Sequence, residues 1–106
     1  MNNYFTYLLL CADNSYYTGI TNDLERRLSE HQNWLHPESY TFSRRPVKLV
    51  WFIECNNVEL AISYEKQIKG WSRKKKNALI NNDWETIISI SNEKNLKKKK
   101  KKNNKW

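Results

Sequence analysis

Glycine, proline and cysteine are scarce in this 106-residue chain, two of each. With so few breakers, the punctuation of the fold rests on Gly19, Gly70, Pro37 and Pro46. Cys11 and Cys55 have no Cys/His spacing near them, which excludes a zinc module. Each closes an apolar run, so buried reduced thiols are expected in place of a disulfide. No apolar run is long enough to cross a bilayer, and no basic-then-apolar leader opens the chain. The expectation is a cytoplasmic protein with no membrane partner and no small-molecule cofactor.

Aromatic residues are plentiful instead: five Trp, six Tyr and three Phe could fill much of one modest core. One domain is expected at this length. The net charge of +8 divides unevenly. Residues 92–106 hold eight Lys against one Glu, a net of +7, and residues 1–91 hold eleven Lys and Arg against ten Asp and Glu, a net of +1. We therefore expect a folded domain over 1–91 and a disordered Lys/Asn-rich tail over 92–106. The lysines at 97–102 read first as a solvated tail, though they would raise non-specific affinity for nucleic acid at low salt. Overall basicity is weak evidence that the folded body binds nucleic acid.

Residues 4–11 (YFTYLLLC) and 16–20 read as two short strands around the turn residues Asp13, Asn14 and Ser15. A three-residue loop over 13–15 sets Cys11 opposite Tyr17 and Leu9 opposite Gly19. Tyr7 and Tyr17 then share one face, whereas a four-residue loop would separate them. Asn22 or Asp23 caps the next helix, with Glu25 placed for a capping box. At about 100° per residue, Leu24, Leu28 and His31 form a narrow arc with Arg27 at its edge. Arg26, Ser29 and Glu30 point away, so Arg26 should be solvated while Arg27 leans inward.

Residues 32–46 lack periodicity, although they carry Trp34, His36, Tyr40 and Phe42. Residues 47–55 (VKLVWFIEC) read as a strand covered on both faces. Asn57 and Gly70 bracket a helix with an apolar stripe of Val58, Ala61, Ile62 and Ile68. Glu65 falls inside that stripe. A carboxylate there is either paired with Lys69 at i+4, which the helix alone favours, or holds a hard cation. Ser72 caps a helix over 73–81, and 83–90 adds a short one packing Trp84, Ile87 and Ile88. Arg27 and His31, four apart, are either a partly buried pair or a phosphate clamp with a hydrogen-bonding neighbour.

Tyr7, then Tyr17-Thr18-Gly19, Arg27 eight residues after the glycine, His31 four later and Glu65 on a later helix stand in an ordered set. This set resembles the GIY-YIG endonuclease family over residues 4–80, and within it the small stand-alone bacterial UvrC-like proteins. The stretches ADNSYYTGITNDLERRLSEH, RRPVKLVWFIE and EKQIKGWSRKKKNALI carry the likeness. Phe5-Thr6, Thr18 and Ile20 depart from the usual motif residues, and Trp34 and Pro37 replace glycines after His31. The resemblance implies an α+β fold, a small three-stranded antiparallel sheet flanked by helices. It implies a metal-dependent endonuclease that hydrolyses DNA phosphodiesters, in DNA repair or recombination. Glu65 would hold one Mg²⁺ or Mn²⁺, Arg27 would stabilise the transition state, Tyr17 helped by Tyr7 would activate water, and His31 would hydrogen-bond among them. Arg44, Arg45, Lys69, Arg73, Lys74 and Lys75 would contact the DNA backbone. The rival reading is a non-catalytic nucleic-acid-binding module on the same fold, and an RNA-directed activity stays open.

Overall fold

A computed structural model describes residues 3–33 and 40–91. The expected tail and the expectations at Trp34, His36 and Pro37 lie outside the described residues. Three strands, β1 (Tyr4–Leu10), β2 (Tyr16–Thr21) and β3 (Lys48–Cys55), form one antiparallel sheet in the order β2-β1-β3. Helices α1 (Leu24–Gln32), α2 (Val58–Lys69) and α3 (Arg73–Ile80) follow the chain, with a 3₁₀ turn at Phe42–Arg44 and a further helical stretch over 84–91. The fold is α+β, a three-stranded antiparallel sheet with flanking helices. No helix among the described residues is long and apolar enough to cross a membrane.

The hairpin loop is three residues long, but it lies one residue earlier than expected. Cys11 N–H donates to Ser15 O at 2.9 Å, so the loop is 12–14 and not 13–15. Asn14 takes φ 70°, the left-handed residue that closes such a loop. Asp13 braces it by accepting from the backbone N–H of Ser15 at 3.1 Å. The register therefore shifts by two: Tyr7 faces Gly19 and Leu9 faces Tyr17. A shift of two preserves parity, so Tyr7 and Tyr17 still share a face.

β1 is the central strand, and its two faces differ. Tyr7 and Leu9 pack with Cys11 and Val47, against which Tyr17, Leu24, Leu28 and Leu49 rest. On the other face Leu8 is fully buried and Thr6 Oγ1 donates to the Ala61 carbonyl at 2.9 Å, tying α2 to the sheet. β3 corrects an expectation: it is an edge strand, not one covered on both faces. Phe52 is 51 % exposed and meets Phe5 edge-on, at 6.1 Å between ring centroids. Apolar residues on both faces of a strand did not mean two covering layers, because the face of β3 that carries Phe52 stays open to solvent.

Local signals place α1 and α2. Asp23 caps α1 by accepting from Arg26 N–H, and Asn57 caps α2 by accepting from Leu60 N–H. Ala61 and Ile68 form the buried line of α2. Ile62, expected in that line, is one step around the helix and exposed.

The chain divides into two compact units, up to Gly70 and from Trp71 onward. In the second unit Ser72 caps α3, and Ala78, Leu79 and Ile87 are buried. Trp84 and Ile88 are exposed rather than packed as expected, so that stretch buries only the Ile87 side of the expected trio.

Candidate active site

Tyr7 comes from the middle of β1, and Gly19 faces it across the hairpin. A Cβ at position 19 would lie 2.5 Å from Tyr7 Oη and 2.6 Å from its Cζ. The glycine is needed so that the phenol can lie across the neighbouring backbone, not to permit an unusual φ. The Tyr17 ring stands beside it, 6.2 Å away between centroids.

α1 delivers His31 at its last turn, buried against both tyrosines. His31 Nε2 lies 2.9 Å from Tyr7 Oη, and Nδ1 lies 2.7 Å from Thr41 Oγ1. Thr41 is 0 % exposed. Tyr40 stacks on Tyr17 at 6.0 Å, and the Arg44 guanidinium covers Tyr40 at 3.9 Å. Sequence reasoning missed Tyr40 and Thr41 as site residues. Both lie in the aperiodic segment, where neither helical nor strand phase points to a partner.

Burial pushes the Tyr7 phenol far above its ordinary range. The neighbouring Tyr17 and the Glu65 carboxylate push the same way, as does a hydrogen bond to Tyr17, while the Arg27 charge opposes them. Tyr7 is therefore a protonated phenol at neutral pH, and its hydroxyl senses Tyr17, Arg27 and Glu65 together. Among the described residues, Arg27 Nε is buried with no hydrogen-bond partner. It forms an ion pair with Glu30, with Nε 3.6 Å from Oε1. That contact corrects the helical-phase reading, which sent Glu30 to the far side. Arg26 is exposed and its Nη2 donates to Asn22 at 3.1 Å, so the two arginines do separate.

Glu65 sits one turn after buried Ala61, with its side chain 24 % exposed. Lys69 Nζ is 3.9 Å away, a loose pair whose lysine is mostly in solvent. The ion pair and the field at Tyr7 thus coexist. No group of three or more metal-ligating side chains occurs among the described residues, so Glu65 offers a single carboxylate.

The GIY-YIG catalytic domain model matches residues 3–78. The chain belongs to the GIY-YIG family. It is 41 % identical over 80 residues to a UPF0213 protein of Syntrophus aciditrophicus, covering 76 % of this chain and 92 % of that one. It is 44 % identical over 84 residues to the UPF0213 protein YsiG of Lactococcus lactis, covering 78 % and 80 % respectively. The solution structure of the protein EF2693 from E. faecalis aligns with a TM-score of 0.55 at 29 % identity, over 77 % of this chain and 86 % of that one. The family is of nuclease type, which points to a nucleic-acid substrate.

Within this GIY-YIG domain, Tyr7, Tyr17 and His31 are in contact, and Arg27 and Glu65 act electrostatically on the same hydroxyl. Half of the expected backbone contacts are occupied otherwise. Arg44 Nε donates to Asp13 Oδ2 at 2.9 Å, and its Nη1 donates to Tyr40 O at 2.8 Å. The hydrogen bonds from Ser15, and after them that pairing, hold the Asp13 carboxyl below the usual range. Arg45 donates from Nε to Phe42 O and from Nη1 to Gln32 O, and stacks on Phe42. These two arginines fasten the 3₁₀ turn to its surroundings. Lys75 is a correction: it is buried, 4.4 Å from the centre of the Trp71 ring, with Nζ donating to Ser91 Oγ at 2.8 Å. Its ammonium is spent inside the second unit and does not face a backbone. Lys69, Arg73 and Lys74 are exposed.

Proposed function

We propose that this GIY-YIG domain is a metal-dependent endonuclease that hydrolyses DNA phosphodiester bonds, serving DNA repair or recombination in the cytoplasm. The observation that supports it best is that Tyr7, Tyr17 and His31 meet in one cluster, with Tyr7 Oη 2.9 Å from His31 Nε2 and the Tyr17 ring 6.2 Å from Tyr7 and 5.2 Å from His31 between centroids, where the Arg27 and Glu65 charges also act.

The donor set fits a hard cation. A single half-buried carboxylate suits Mg²⁺ or Mn²⁺, which keeps most of its waters and takes phosphate oxygens as further ligands. Glu65 would hold that ion, which when bound neutralises charge on the phosphoryl and leaving oxygens. The residues of the chain do the rest. Arg27, whose Nε has no hydrogen-bond partner among the described residues, grips a phosphate oxygen and stabilises the pentavalent transition state. Tyr17 orients the attacking water; as the water oxygen bonds to phosphorus its proton passes to Tyr17 Oη, whose own proton goes to solvent, and the leaving oxygen takes a proton from solvent. Tyr7 is not a second base, because burial keeps it protonated. Lys69, Arg73 and Lys74 are the remaining candidates for backbone contact.

The test is cleavage of single-stranded, duplex and branched DNA with Mg²⁺, Mn²⁺ or EDTA. Wild type should cut only with metal. Glu65→Gln and Arg27→Ala should each lose roughly a hundredfold in rate. Wild type that cuts no DNA, or variants that cut as fast as wild type, would defeat the assignment.

A further inference from the structure

We propose that Arg44 is a positioning residue, which clamps the Tyr40 ring against Tyr17 and so sets where the Tyr17 hydroxyl stands. β2, which carries Tyr17, is an edge strand and has a strand neighbour on one side only. Tyr7 and His31 meet the Tyr17 ring at steep angles, whereas Tyr40 lies nearly parallel to it, at 6.0 Å and 25°. Tyr40 is 41 % exposed, so burial alone does not hold it there. Arg44 does. Its Nη1 donates to the Tyr40 carbonyl at 2.8 Å, its guanidinium lies 3.9 Å from the centre of the Tyr40 ring, and its Nε donates to Asp13 Oδ2 at 2.9 Å.

Asp13 closes the circuit. Its Oδ1 accepts from the Ser15 N–H at 3.1 Å and from the Ser15 hydroxyl, and Ala12 N–H donates to Arg44 O at 2.8 Å. Arg44 is therefore anchored, by side chain and by backbone, to the hairpin loop from which β2 and Tyr17 emerge. Asp13 meets Arg44 and Tyr17 meets Tyr40, four residues apart on each segment. A planar guanidinium can donate within its plane while its face covers a ring, which an ammonium cannot do. Two of its three nitrogens are already committed within the chain, which suits a clamp better than a phosphate contact. A phenol that receives a proton from an oriented water depends on placement to well within an ångström, on the order of a hundredfold in rate for about 1 Å. The clamp stands on these contacts alone, and its effect on turnover rests on the nuclease reading.

In DNA cleavage, Arg44→Lys and Tyr40→Leu should each lower kcat about tenfold with KM unchanged. Tyr40→Phe keeps the ring and should recover most of what Tyr40→Leu loses. The double variant Arg44→Lys, Tyr40→Leu should lose little more than either alone, because the two side chains act as a unit. An Arg44 that contacts phosphate behaves otherwise. Arg44→Lys would then keep kcat, and Arg44→Ala would weaken DNA binding and lower its salt slope by about 1; that pattern overturns the proposal. Asp13→Asn separates the two by direction. It should lower kcat if Asp13 anchors the clamp, whereas an unchanged kcat with tighter binding, from an arginine set free, overturns it. A second readout needs no turnover. In aromatic carbon–proton spectra of the full chain, with Tyr17→Phe used for assignment, Arg44→Lys and Tyr40→Leu should both displace the Tyr17 ring signals. Tyr17 signals unmoved by Arg44→Lys overturn the proposal, whatever the kinetics. If wild type cuts no DNA, the nuclease reading fails, while these spectra still decide whether Arg44 holds Tyr40 on Tyr17.

Discussion

Thr6 and Tyr7 are neighbours on β1, both buried and both carrying a hydroxyl, yet they end in opposite kinds of company. Thr6 donates to the main-chain carbonyl of Ala61, a partner that cannot move or titrate. Tyr7 meets His31, and His31 meets Thr41, so that face satisfies its polar atoms with other side chains. A hydroxyl closed on the backbone serves the fold. A hydroxyl linked through side chains to a half-exposed phenol can pass charge to solvent. Strand alternation put these two roles one residue apart. Fold and chemistry should therefore be separable by substitution, one face at a time.

The largest effect belongs to the packing face. Leu8 is fully buried, and Leu8→Ala should cost about 3 kcal/mol of stability through lost contact and a residual cavity. Measured well below its melting temperature, the folded variant should cleave DNA as wild type does. A lower rate per folded molecule would mean that the two faces are coupled.

Gly19→Ala should be next, and it should strike both properties. The added methyl meets Tyr7 Oη and Cζ, so the phenol must swing away from His31. Overpacking of this kind costs about 2 kcal/mol. Unlike Leu8→Ala, this variant should lose cleavage even when fully folded, because the Tyr7 hydroxyl no longer holds its place. Urea denaturation and cleavage on the same sample separate the two outcomes. Full activity in folded Gly19→Ala would show that the position of Tyr7 does not matter.

The packing face was easier to foresee than the chemical one. Caps are local, so Asn57 and Ser72 were legible from a few residues each, while the cap of α1 was narrowed only to Asn22 or Asp23. The half-burial of Glu65 followed from helical phase, because a carboxylate between Ala61 and Ile68 has little choice of direction. The hairpin register was not fixed by composition. Asp13, Asn14 and Ser15 are all turn formers, and only the positive φ of Asn14 decides which of them closes the loop. The edge position of β3 was hidden for another reason: Phe52 is apolar but open to solvent, and hydropathy does not record neighbours. Thr41 was the least legible of all. Its value lies in one contact to His31, ten residues back, across a segment with no period to extrapolate.

The smallest effect should appear only in alkali. Burial raises the Tyr7 phenol far above the ordinary tyrosine range, so the folded state keeps a proton that the unfolded chain releases near pH 10. The unfolded state then binds fewer protons, and stability must fall as pH rises past that point. Tyr7 should contribute a loss approaching 1.4 kcal/mol for each pH unit above about 10, and nothing below it. Tyr7→Phe removes this one proton. At pH 7 the variant should be about 1 kcal/mol less stable, because a polar atom of His31 loses its partner. Between pH 10 and 11 its stability should fall less steeply than that of wild type, and the two curves should converge. Urea denaturation from pH 7 to 11 measures both. Parallel curves would mean that Tyr7 ionises as an ordinary phenol, and the chemical face of β1 would then lose the protonated donor on which its contrast with Thr6 depends.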